Sequence, residues 1–345
     1  MIAEASLTVI LLLFAGAGVV ICGCGIMMTG IADKIADRTG LGEAIVGAVI
    51  LGAATSLSGT VVSVTAALDG RASLAFSNSI GGIAAQTAFL ALADLVHRRA
   101  NLEHAAAEVT NIIQGVILLG LLMLPFAALT TPEWTILAIH PVSFLIPAVY
   151  VMGLFVSRTT REQPMWKPVR TRETRADTPD DEDEGSARKS TPRLFGEFGA
   201  LMLGMGVAGW VIAQTGSELT DRLGFSASLV GALMTAVVTS LPELVTTLAA
   251  VRRGALQLAV GGIIGGNTFD TLFLSAADAA YRDGSLYHAA AMSDYFWIVA
   301  AALMTVVLLA GLIVREKDGP AGIGVESVLI LGLYAAAAGL QILVF

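Results

Sequence analysis

The chain has 345 residues, of which 55% are hydrophobic and only 14% charged, and its mean hydropathy is +0.77. A soluble domain carries closer to a quarter charged residues, so this composition excludes a soluble globular protein and describes an integral membrane one. The net charge is −8, no basic patch for nucleic acid is present, and Cys22 and Cys24 supply neither a disulfide framework nor a zinc site.

Crossing ~30 Å of hydrocarbon takes about 20 apolar residues. Runs of that kind predict ten transmembrane helices, over 6–30, 41–68, 72–97, 105–128, 133–157, 195–215, 225–251, 256–281, 292–315 and 324–344. The first carries Glu4 and no basic n-region, so it reads as a span and not as a cleaved signal. Asp94 and Asp278, near the ends of the third and eighth spans, are expected to meet water, and His104 and His288 to be interfacial. In the fourth span Asn111 and Gln114 read as interhelical hydrogen bonders, and His140-Pro141 marks a bend in the fifth. Between the fifth and sixth spans, Arg158 to Arg193 holds four prolines and an acidic cluster, Asp177 to Glu184. That composition predicts a disordered, solvated linker, without the glycine turn and ligand spacing of an EF-hand. The expected plan is a first five-helix membrane repeat (1–157), a cytoplasmic linker (158–193) and a second five-helix repeat (194–345). With the N-terminus outside, 17 of the 20 Lys and Arg residues fall on the inner side. The basic bias therefore predicts a plasma (inner) membrane protein with both termini outside.

An offset of 184 aligns residues 37–107 with 221–291 without a gap, and 28 of the 71 pairs are identical. The matches include polar residues: Thr55-Ser56-Leu57 with Thr239-Ser240-Leu241, Asp94 with Asp278 and His104 with His288. Five spans per half is an odd number, so equivalent helices cross in opposite directions. The predicted fold is all-α integral membrane, ten transmembrane helices as two inverted five-helix repeats with broken helices at the centre. Such repeats place a substrate site near the midplane.

Two stretches carry the chemistry: Thr239-Ser240-Leu241-Pro242-Glu243, and Gly261-Gly262-Ile263-Ile264-Gly265-Gly266-Asn267-Thr268-Phe269-Asp270. Ionisable groups at membrane depth are costly and mark function. Pro242 should break the seventh span and free carbonyls around 238–239 to face a cation. Thr239 and Ser240 share a face with Glu243, and Gly266 and Asn267 with Asp270. Gly265-Gly266 is expected to loosen the eighth span and allow close approach. This all-oxygen set suits hard cations such as Ca²⁺, Na⁺ or Mg²⁺, and soft ligands for copper or zinc are missing. Metal-protease, nucleophile-elbow and phosphate-loop motifs are absent, so no enzyme is expected.

Thr-Ser-Leu-Pro-Glu followed by Gly-x-x-x-Gly-x-Asn-x-x-Asp resembles the second alpha repeat of the calcium/cation antiporter superfamily, the sodium/calcium exchangers. The resemblance implies a secondary active antiporter that works by alternating access, with Ca²⁺, Na⁺ or H⁺ as cargo and no cofactor. It implies Glu243 as the central carboxylate and Asp270 as the second acid on the metal, with Thr239 as a hydroxyl or carbonyl ligand. The first repeat departs from the pattern. Ser58-Gly59 stands at the Pro-Glu position, Gly81-Gly82-Ile83 replaces the Gly-Ser-Asn element, and Gln86 stands opposite Asp270. In the second repeat Gly266 occupies the serine position. The implied ligand set becomes Glu243, Asp270, Asn267, Gln86, Thr55, Ser56, Thr239 and Ser240, with Pro242, Gly265, Gly266, Gly81 and Gly82 for breaks and close approach. Inorganic cations and the lipid bilayer are the expected partners, and the oligomeric state is left open. The loss of one central glutamate also admits a second reading, a non-transporting membrane sensor or scaffold on the same fold.

Overall fold

Helix α4 (Ala72–Val96) is the spine of the molecule, with 21 of its 25 residues buried, polar and apolar alike. A helix covered on every side has to lie at the centre of a bundle. The computed structural model describes residues 2, 4–39, 52–97, 100–106, 108–171, 174, 191–317, 319 and 323–344. The first part of the predicted second span, and the acidic cluster from Asp177 to Glu184, lie outside these residues.

Before the spine come α1 (Leu7–Thr39), the short α2 (Gly52–Thr55) and α3 (Leu57–Leu68). After it come α5 (Leu102–Ala105), α6 (Val109–Leu129) and α7 (Val142–Glu162). The second half runs through α8 (Thr191–Leu223), α9 (Ala227–Thr239), α10 (Leu241–Arg253), α11 (Leu256–Asp270), α12 (Leu272–Ala280), α13 (Leu286–Ala289), α14 (Met292–Val314) and α15 (Val325–Leu343). Helix α9 contains a π-helical stretch over Val230–Thr235. All the regular elements among the described residues are helical, and one isolated bridge joins Ile136 and Ile139.

Seven of these helices are long and apolar enough to span a membrane, or eight if the bent pair α9–α10 is one span. The expected second and eighth spans are built of shorter pieces, α2–α3 and α11–α12. Helices α1 and α8, each 33 residues long, overrun their expected spans, and α8 starts at Thr191, inside the expected linker. Helix α7 starts late, at Val142. The residue before a proline is steered away from helix, and the approach to Pro141 instead places Leu137 and Ala138 in the left-handed region. His140-Pro141 is thus the start of α7 and not a bend inside it.

The repeat extends well past the residues whose identity reveals it. At an offset of 184 the bounds of α1 coincide with those of α8, those of α5 with α13, and α4 with the start of α11 and the end of α12. Hydrogen bonds repeat as well. Asp94 Oδ1 accepts from the Leu102 amide at 2.7 Å, and Asp278 Oδ1 from the Leu286 amide at 2.8 Å. Between halves, Asp94 Oδ2 accepts from the Gly324 amide at 3.1 Å and Asp278 Oδ2 from the His140 amide at 2.7 Å. His104 bonds the Arg315 carbonyl while His288 bonds the Thr131 carbonyl. Reciprocal contacts of this kind are the mark of a two-fold relation. The two aspartates are therefore buried staples between chain segments and do not meet water, because each satisfies backbone amides that have no other partner.

Two hydrophobic clusters divide the bundle. One joins α1 and α8 through Ile10, Ile21, Met205 and Ile212, and the other gathers most remaining helices around α4. Along α1, Gly18 faces Val238, which packs against the first cluster, and Gly25 faces Pro242. On the far side of α4, a Cβ at Gly81 would lie 2.4 Å from Cα of Ala232 in the π-helical stretch and 2.7 Å from its carbonyl oxygen. Backbone cannot yield as a side chain does. Gly81→Ala is expected to cost about 1–3 kcal/mol by overpacking, read as a lower melting temperature in detergent. Gly82→Ala, whose nearest neighbour would be Ser240 Oγ at 3.5 Å, should leave the melting temperature close to that of the parent.

Candidate cation site

The helix breaks fall on two serines related by the repeat. Ser56, between α2 and α3, has φ −78° and ψ −1°, and Ser240, between α9 and α10, has φ −94° and ψ 4°. The chain bends by 45° at the second. Pro242 lies in the first turn of α10, where a missing N–H costs nothing, and the first break forms with Ser58 in its place. Proline thus sharpens a break that the fold makes without it. Nor is the Thr239 carbonyl left open as expected, since Ser58 Oγ donates to it across the halves at 3.3 Å.

Asp270 ends α11, and the first half holds it from several directions. Ser56 Oγ donates to Oδ1 at 2.7 Å, Gln86 Nε2 donates to Oδ2 at 2.6 Å, and Ser79 Oγ donates to the Asp270 carbonyl at 3.0 Å. Gln86 Nε2 also lies 3.4 Å from Ser240 Oγ. Asn267, one turn before Asp270, donates to Thr87 Oγ1 at 2.9 Å. Both amide orientations follow from these partners, because carboxylate oxygens only accept and the Thr87 hydroxyl is committed to Ile83 O.

Glu243 is held differently. It is 6% exposed, and neither carboxylate oxygen makes a hydrogen bond of full geometry. The Asp270 carboxylate and the Thr55 side chain are among its neighbours in the layer. Gln86 Oε1 and Asn267 Oδ1 are likewise buried without a partner. The central layer therefore holds four unpartnered oxygens, all of them acceptors. Buried acceptors without donors are costly unless something positive joins them. Thr55, Ser56, Thr239 and Ser240 are all buried beside the breaks, with Thr239 Oγ1 turned back to its own helix at Ala236 O.

Other expectations shift. Helix α11 runs unbroken through Gly265-Gly266, and the interruption comes at Thr271. Gly266 does make a close approach, to Gln86 Oε1, whereas Gly265 meets nothing nearer than Gln114 Oε1 at 4.0 Å. Asn111 donates to Ala106 O in the connection just before its own helix, a local bond and not an interhelical one. Sequence reasoning missed Asn78, which donates to Gly59 O and Ser63 Oγ and accepts from Thr235 Oγ1, tying α3, α4 and α9 together. The signal was present in Ser77-Asn78-Ser79, three polar residues in succession inside an apolar run. At Gly59, the position opposite Glu243, the Phe273 ring fills the space, its Cε2 2.8 Å from where a Cβ would sit. Among the described residues no three acidic, His or Cys side chains cluster to hold a metal. Any cation at the centre would depend on Glu243, Asp270 and neutral oxygens.

Inverted repeats meeting at broken helices around a buried, oxygen-rich layer define an integral membrane transporter architecture. The profile of the Sodium/calcium exchanger protein family matches residues 9–158 and 194–343, so the chain belongs to that family. It is accordingly a multi-pass membrane protein of a cation-exchanging family and not an enzyme. It is 27% identical over 297 residues to the inner membrane protein YrbG of Escherichia coli, covering 85% of this chain and 86% of that one. It is 28% identical over 290 residues to CaxA of Alkalimonas amylolytica, provisionally named an antiporter, covering 80% and 82% of the two chains. In fold it is similar to the sodium-calcium exchanger NCX_Mj soaked with Na⁺ and Sr²⁺, with a TM-score of 0.63 and 15% identity over 97% of this chain and 99% of that one.

Removing either donor to Asp270 would leave a carboxylate oxygen buried and unmatched. Ser56→Ala and Gln86→Ala are each expected to cost about 1–3 kcal/mol, read as a lower melting temperature in cation-free detergent. Asn267→Ala frees only a hydroxyl that keeps its bond to Ile83 O, and should cost less.

Proposed function

We propose that the protein is a secondary active cation antiporter in which a hard cation binds at Glu243 and Asp270 and crosses by alternating access. The observation that carries this reading is the set of four buried acceptor oxygens without a hydrogen bond of full geometry, on Glu243, Gln86 and Asn267. A protonated or cation-bound state supplies these oxygens with a positive partner. Asp270 is the fixed member, held by Ser56 and Gln86, while Glu243 is the acid free to gain and lose its counter-ion. Thr55 acts beside it, and Thr239 and Ser240 lie at the break. With one glutamate in the central layer and an amide opposite Asp270, the site offers two negative charges from the second half alone. Fewer charged ligands weaken Ca²⁺ binding, so Na⁺ or H⁺ competes with Ca²⁺ as cargo. The basic bias of the loops and the name of the relative YrbG support a place in the inner membrane, with the linker of 158–193 cytoplasmic, both termini outside, and repeats at 1–157 and 194–345.

Purified protein in sealed vesicles is expected to move Ca²⁺, Na⁺ or H⁺ against an imposed gradient of a second cation. Glu243→Gln should reduce that flux to the level of empty vesicles while leaving the melting temperature intact. Flux unchanged by the substitution would overturn the assignment. A folded protein with no flux for any of the three ions would favour a sensor or scaffold built on the same fold.

A further inference from the structure

A second group of buried carboxylates lies far along the bundle from the central layer, at the end where the linker departs. Glu103 on α5 is 2% exposed, and Glu326 in the first turn of α15 is 8% exposed. Neither oxygen of Glu103 has a hydrogen-bond partner, and neither does Oε2 of Glu326. Their side chains meet over Gly311 of α14, where a Cβ would lie 3.1 Å from Cγ of Glu103 and 2.5 Å from Cγ of Glu326. Glu326 Oε2 and Asp94 Oδ2 each come within 3.2 Å of the Cβ position of Gly324, with the Asn101 amide carbon at 3.4 Å. Arg315, a basic residue of this corner beside Lys317, is turned mainly to other work, with only its Nε left without a partner. Its guanidinium donates to the carbonyls of Val169 and His104 and to Thr174 Oγ1, pinning the start of the linker.

The other half builds the same corner without these acids. Positions related by 184 to Glu103 and Glu326 are Tyr287 and Val142, and Tyr287 meets Ser143 in a neutral hydrogen bond. Asp278 staples that corner as Asp94 staples this one. The architecture therefore requires the aspartate and not the two glutamates. Two buried like charges disfavour the fold unless a positive partner joins them.

We propose that Glu103 and Glu326 form a second cation site, separate from the exchange site, for a hard divalent ion such as Mg²⁺ or Ca²⁺. Among the described residues no three acidic, His or Cys side chains are grouped to hold a metal, and Asp94, the other acid of this corner, is committed to the Leu102 and Gly324 amides, so the Asn101 amide and water complete the shell. A small divalent ion bound by one or two carboxylates that keeps several waters is ordinary coordination for Mg²⁺. The bound ion ties α5 to α15 across α14, beside the segment of linker that Arg315 holds.

The test uses full-length protein in detergent, stripped with a chelator and melted with Mg²⁺ or Ca²⁺ at constant ionic strength. In a Glu243→Gln background, which leaves the exchange site with Asp270 as its single acid, millimolar divalent ion is expected to raise the melting temperature. Adding Glu103→Gln and Glu326→Gln should abolish that rise and leave the ion-free melting temperature equal or higher, because the amides remove repulsion. A rise that survives both substitutions overturns the proposal. So does the absence of any rise in Glu243→Gln, or a response to pH alone, which would assign the pair to a shared proton. Should the triple variant fail to fold, equilibrium dialysis with radioactive Ca²⁺ decides the matter. Glu326→Gln alone must bind one ion fewer than the wild type, and equal stoichiometry overturns the proposal.

Discussion

The hydrogen bond from Gln86 to Asp270 is the contact around which the rest is arranged. These residues occupy equivalent places in the two repeats, so their side chains face each other across the two-fold relation between the halves. Had both been aspartates, two charges would meet at hydrogen-bond distance inside a bundle, and one would have to take up a proton. Replacing one by an amide turns a repulsive pair into a donor and an acceptor. The bond joins α4 to the end of α11 at the layer where both chains of broken helix pass. With Asp270 locked, its second oxygen is free to receive Ser56 from the first break. The two breaks, the spine and the acid thus form one unit.

The same bond decides how the remaining acid behaves. Asp270 is satisfied at both oxygens and at its carbonyl, and so has little reason to move. Glu243 sits in the same buried layer without a full hydrogen bond and against the charge of Asp270. A group in that position has a large free-energy difference between its bare and its neutralised states. Under the proposed antiport that difference would be the useful property, because an ion can shift a conformational equilibrium only by its differential affinity for the two states. The core divides into an α1–α8 cluster and a cluster around α4, and the second broken helix packs against α1 at Gly18 and Gly25.

Much of this was legible in the sequence. The spacing of Thr239, Glu243 and Asp270, and the repeat at 184, came from residues that hydrocarbon excludes unless they have work to do. The fold's reach was larger than the repeat's visible identity. Pairs such as His104 with Arg315 O and His288 with Thr131 O bond through one side chain and one carbonyl, so half of each contact leaves no trace in residue type. Asp94 and Asp278 were misread for a related reason. An acid near the end of an apolar run resembles a water-facing residue, and only the path of the chain shows the amides that it caps. The break at Ser56 was hidden because no proline announces it.

The first half's missing glutamate is a change to the whole layer and not a simple deletion. Gly59 stands at that position with the Phe273 ring packed where a side chain would grow, so a glutamate restored there would have to displace an aromatic ring from the opposite repeat. Asn78 donates to the Gly59 carbonyl, fixing the backbone beneath the ring, and Ser58 turns to the Thr239 carbonyl on the other side. Each neighbour of the vacant position has a partner that suits its absence. The site has been rebuilt around one glutamate, one aspartate and one amide, with its charge concentrated on the second half. In that layer α10 and α11 carry the carboxylates, and the first half faces them only with neutral groups such as Gln86 and Ser56.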